Sequence, residues 1–75
     1  MSEHKKPERD IEKNYTVGQF VEKLRRLADS LEAGEEFKIQ VANEKIVVPA
    51  DAEISVEHER EDGEEELEFQ LKWKV

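Results

Sequence analysis

The sequence predicts an α+β domain, with one helix packed on a four-stranded antiparallel meander sheet. Three observations carry the prediction. Leu67, Phe69, Leu71, Trp73 and Val75 alternate with polar residues at a period of two, as a half-buried strand requires. Val17, Phe20, Val21, Leu24, Leu27 and Leu31 recur at threes and fours, the spacing of an amphipathic helix. Between these stretches lie two short alternating runs, Phe37-Ile39-Val41 and Ile46-Val48.

In chain order, residues 1–8 are polar, include Pro7, and read as a mobile tail. Residues 9–75 then form a single domain. Residues 8–14 alternate weakly around Ile11 and could add a short N-terminal edge strand.

The helix start has a chemical signature. Thr16 and Gln19 have the spacing of a capping box, and Tyr15 with Phe20 that of a hydrophobic staple. Glu22 and Arg26 are placed for an ion pair along the helix. Gly34 ends the helix, because it can take the left-handed conformation just past the last turn.

Residues 36–41 read as a strand. Ala42-Asn43-Glu44-Lys45 reads as the turn, with Ile46 and Val48 returning opposite Val41 and Ile39. Pro49 has no N–H for a ladder and closes that strand. The last two strands are joined at Asp62-Gly63, a dipeptide suited to a tight hairpin turn because both residues tolerate positive φ. That turn pairs Glu61 with Glu64, Glu59 with Glu66, Glu57 with Glu68, Val56 with Phe69 and Ile54 with Leu71. Ile54 and Val56 then meet apolar partners and Leu67 meets His58, and a slip of one residue would reverse a whole face.

Composition narrows the function classes. The chain has 75 residues, no cysteine and a formal net charge of −8. Roughly twenty apolar side chains point inward, enough for one core between two layers. A core of that size leaves roughly 3–5 kcal/mol of net stability. Without cysteine there is no disulfide framework, thiolate nucleophile or cysteine-held metal. No apolar run approaches a membrane span, and the N-terminal residues lack the apolar centre of a signal peptide. A cytoplasmic protein is therefore expected. From Asp51 onward the chain carries 10 acids against 3 bases, so nearly all the net charge belongs to the final hairpin. Such a surface repels nucleic acids and anionic membranes and attracts cations or a basic partner.

The helix ending Leu31-Glu32-Ala33-Gly34 precedes valine-rich strands and a charged hairpin. The chain then closes on Glu66-Leu67-Glu68-Phe69-Gln70-Leu71-Lys72-Trp73. This pattern, from Thr16 to Trp73, resembles the amphi-Trp domain, whose terminal amphipathic strand ends in tryptophan. The resemblance implies a small prokaryotic domain and carries over no catalytic residue.

Chemistry-bearing residues are sparse. His4 lies in the tail. His58 falls on the apolar face of the hairpin, away from its neighbours Glu57 and Glu59, so no zinc-like set converges there. Thr16 is a cap, Ser30 lies on the helix, and Ser55 has no adjacent base. The glycines are scattered and do not form a phosphate loop. The basic group Lys23, Arg25 and Arg26 is too small for a nucleic-acid footprint. Trp73 reads as a core cap near the helix end. No catalytic residue, metal ligand or cofactor site is assigned, and a non-enzymatic protein is expected.

The feature left over is an acidic ladder on the open sheet face: Glu53, Glu57, Glu59, Glu66 and Glu68. Like charges directly across a strand pair cost up to about 1 kcal/mol each. One reading is that the acids only keep a sheet soluble and discourage edge pairing. The functional reading is an interaction or assembly module that docks a basic protein partner there. The alternatives are a weak divalent-cation-binding protein using the same acids, or a structural protein that self-associates through an edge strand or around Val47.

Overall fold

The computed structural model describes residues 8–75. The expected tail therefore lies outside them, apart from Glu8. The element order is α1 (Val17–Ala33), β1 (Phe37–Val41), β2 (Glu44–Val48), β3 (Glu53–Glu61) and β4 (Glu64–Lys72), which makes the chain α+β.

Helix α1 begins and ends where its side chains dictate. The Gln19 amide donates to Thr16 Oγ1 at 3.2 Å, and the Thr16 amide donates to Gln19 Oε1 at 3.1 Å, completing the capping box. At the other end Gly34 takes φ 69°, its N–H donates to the Leu31 carbonyl, and the Glu35 N–H donates to the Ser30 carbonyl. These two bonds satisfy carbonyls that the last turn would otherwise leave unpaired. The predicted Glu22–Arg26 pair does not form. Glu22 lies 4.0 Å from Lys23, and Arg26 turns toward β1, where Nη2 donates to the Lys38 carbonyl at 2.8 Å. Tyr15 packs its ring beneath the Lys23 ammonium, 4.6 Å from the ring centre.

The strands pair as two separate two-stranded sheets, β1–β2 and β3–β4, rather than as one four-stranded meander. The reason lies at Pro49. It ends β2 without an N–H to offer, and the Ala52 N–H closes a turn onto the Pro49 carbonyl at 3.1 Å. The chain is redirected there before β3 can lie beside β2.

In the first hairpin the register differs by two residues from the expected one. Phe37 faces Val48, Ile39 faces Ile46 and Val41 faces Glu44. The loop is two residues long, with Ala42 at φ 47° and Asn43 at φ 71°. Positive φ at both central positions matches strand twist, so the tighter loop wins over the four-residue one. A shift of two leaves every side chain on its expected face.

In the second hairpin all nine pairs, from Glu53–Lys72 to Glu61–Glu64, follow the expected register. Asp62 and Gly63 make the turn with φ 52° and 79°. Residues 8–14 do not form a strand. Arg9 instead bonds the Glu44 carboxylate and the Val41 carbonyl at the end of the first hairpin.

The core is smaller than the patterns imply. Phe37 and Val48, opposite each other in β1 and β2, are the buried apolar residues among those described. The helix stripe and the apolar face of β3–β4 are largely exposed. The radius of gyration is 14.3 Å, where a compact chain of this length has about 11 Å.

Candidate functional site

The β3–β4 ribbon divides its residues by parity, and the two faces have opposite chemistry. One face carries Ile54, Val56, His58 and Arg60 of β3 against Leu71, Phe69, Leu67 and Glu65 of β4. The other carries the acidic ladder. Glu57 stands opposite Glu68, Glu59 opposite Glu66, and Glu61 opposite Glu64. Strand pairing thus brings four of the five predicted residues together: Glu57, Glu59, Glu66 and Glu68. The fifth, Glu53, stands opposite Lys72 at the base of the ribbon, next to an opposite charge rather than a like one.

The carboxylates feel one another. Glu68 is held above the ordinary carboxylate value. The first cause is the loss of water around it, followed by the negative charges of Glu66, Glu57 and Glu59 and a hydrogen bond with Glu57. The Gln70 amide relieves part of the load by donating to Glu57 Oε1 at 2.8 Å, while Ser55 Oγ donates to Gln70 Oε1 at 3.1 Å. Ser55 therefore positions Gln70. At the tip, Glu59, Glu61, Asp62, Glu64, Glu65 and Glu66 surround an open recess of about 540 Å³. Among the described residues no three acidic or histidine side chains are grouped to hold a metal ion.

His58 is placed as expected, on the apolar face, but it has a partner. Its Nε2 lies 2.9 Å from Glu65 Oε1, and Arg60 Nη2 donates to the same oxygen at 3.3 Å. These two bonds pull Glu65 below the ordinary carboxylate value, with the His58 bond the larger cause. Attention to sequence neighbours misses this group. The signal is diagonal, because His58 faces Leu67 and so reaches the residue two before it.

Trp73 is half-buried. It lines a recess with Val41, Ile46, Ile11 and Val75, where the end of the second hairpin meets the first. The basic residues gather more than their sequence positions suggest. Lys13, Lys23, Arg26, Lys38 and Lys45 line a cleft with Tyr15. Three of these cations already have protein partners: Lys23 with Tyr15, Arg26 with the Lys38 carbonyl, and Lys38 with Glu36 at 3.7 Å.

A capped helix, two local hairpins and a long terminal strand that alternates acidic and apolar residues up to a tryptophan define a small amphipathic-ribbon domain. The chain belongs to the Amphi-Trp domain family, whose model matches residues 1–75, the whole chain. No curated protein and no solved structure matches it. Among the described residues no helix is long and apolar enough to cross a membrane.

Proposed function

We propose that this domain is a non-enzymatic interaction module of the cytoplasm, and that the acidic face of β3–β4 takes a basic protein surface. The supporting observation is the ladder of Glu57, Glu59, Glu66 and Glu68, only partly relieved by the Gln70 amide, in which Glu68 is harder to ionise than an ordinary carboxylate. Like charges held opposite one another are an electrostatic cost that lysines or arginines of a partner would remove. Glu53 extends the face toward its base. The charge is carried on a regular ribbon, so it presents a fixed row rather than a diffuse cloud.

The test compares wild type with a variant carrying Glu57→Lys, Glu59→Lys, Glu66→Lys and Glu68→Lys, once far-UV dichroism confirms that the variant folds. Affinity capture from a native lysate is expected to retain a basic partner on wild type alone, with elution by moderate salt. Equal capture by both proteins, or a complex indifferent to salt, would overturn the reading.

A further inference from the structure

We infer that a second copy of this chain covers the apolar face of the β3–β4 ribbon, so that the protein is a two-fold symmetric dimer. Four observations point there.

The first is exposure. Ile54 is 61% exposed, Val56 60%, Leu67 64% and Phe69 66%. A run of apolar side chains this open is what an interface leaves behind when its partner is removed.

The second is shape. An apolar groove of about 340 Å³ runs beside this face, with Leu27 and Leu31 of α1 on one wall and Ile54, Val56, Phe69 and Leu71 on the other. Phe20 and Leu24 continue the helical wall by the same periodicity, at 55% and 40% exposure. Sheet face and helix stripe together offer roughly 800 Å² of apolar side chain, about what each partner of a stable interface contributes.

The third is need. With Phe37 and Val48 as its buried apolar residues, one copy hides too little apolar surface to offset the ordering of its chain. An isolated two-stranded ribbon is marginal in water. The missing layer must be present whenever the protein is folded, and another copy of the chain satisfies that condition.

The fourth is charge. The apolar face carries one acid, Glu65, against Arg60 and His58. Glu53, Glu57, Glu59, Glu61, Glu64, Glu66 and Glu68 all lie on the opposite face. Two copies packed through their apolar faces bring neutral surfaces together and turn both acidic ladders outward. Packed sheets lie about 10 Å apart, so the ladders are separated by at least a Debye length. A self-complementary patch of this kind closes on itself and leaves no sticky end.

This dimer does not depend on the acidic face having a partner, and the two readings fail separately. Sedimentation equilibrium of wild type at tens to hundreds of micromolar is expected to give twice the 8.8 kDa chain mass. The double variant Leu67→Glu, Phe69→Glu is expected to sediment as one chain. Glu66→Lys on the acidic face and Val47→Glu on the first hairpin are expected to remain dimeric. The melting temperature of wild type is expected to rise by several degrees over about a hundredfold increase in concentration. That readout decides the matter even if the double variant fails to fold. A wild-type monomer whose melting temperature is independent of concentration would overturn the inference. So would a mass that keeps growing with concentration, or a dimer lost on Val47→Glu and kept with both ribbon glutamates.

Discussion

Phe37 and Val48 face each other across β1 and β2, and each is 6% exposed. The contact joins the first residue of the hairpin to its last, so it closes the open end of the ribbon. Arg26 lies over the Phe37 ring at 5.3 Å and seals the helix side. Phe37→Ala is expected to cost about 3–5 kcal/mol, which is comparable to the whole stability of a domain this small. A urea titration followed by far-UV dichroism should find the variant largely unfolded without denaturant. A midpoint close to wild type would show that stability resides elsewhere.

Arg26 is the side chain that hydrogen-bonds the helix to β1, through the Lys38 carbonyl. Arg26→Ala removes that bond and the cover over Phe37, and is expected to cost about 1–2 kcal/mol. Arg26→Lys should recover only part of it, since an ammonium lacks the planar fork that serves carbonyl and ring together. Thermal melts of the two variants would show the order, and an Arg26→Lys protein matching wild type would contradict it.

Ala42 occupies φ 47° in the β1–β2 turn, a region an alanine side chain disfavours. Ala42→Gly is expected to stabilise the protein by about 0.5–1 kcal/mol, because relief of that strain outweighs the greater freedom of the unfolded chain. In a domain of this size the gain should raise the melting temperature by about 2–8 °C. Gly63→Ala, at φ 79° in the other turn, should move it the opposite way.

Two carboxylates on opposite faces give stability opposite dependences on pH. Glu65 is lowered in the folded state, so its contribution is present above the ordinary value of 4.5 and is lost as pH falls through its folded value. Glu68 is raised, so the folded state holds its proton more firmly, and stability declines as pH rises from 4.5 through its folded value. The two contributions together favour the folded state most near pH 4.5. Melting temperatures from pH 3 to 7 should show Glu68→Gln flattening the upper side and Glu65→Gln the lower. The reverse assignment would mean that the environments of the two faces have been interchanged.

Local chemistry was the legible part of the sequence. Thr16 with Gln19, Gly34, and Asp62-Gly63 each state a backbone requirement within four residues, and the structure places all of them as expected. The β3–β4 register followed, since one turn and two alternations determine it. The β1–β2 register did not, because Ala42 gives no sign in the sequence that it will take positive φ. Periodicity also separated the acidic from the apolar face correctly. It could not say what covers the apolar face, since alternation reports which residues share a side and not what lies above them. Arg26 reads as a solvent-facing helix cation until β1 presents the Lys38 carbonyl. The diagonal bond of His58 to Glu65 depends on side-chain reach across the ladder, which a pairing table alone does not contain.

The turn from Pro49 to Ala52 has a consequence for how the chain acquires its structure. Among the described residues every ladder joins a strand to the one next in sequence, so the loop that each ladder closes is only a few residues long. Little closure entropy is lost in forming either ladder, and each hairpin can zip on the microsecond scale of an isolated ribbon. During synthesis, β1 and β2 can close while β3 is still being made, because nothing they bond to in their ladder lies downstream. Amide exchange should accordingly separate the chain into two cooperative blocks with their boundary at Pro49, the first hairpin with its helix opening independently of the second.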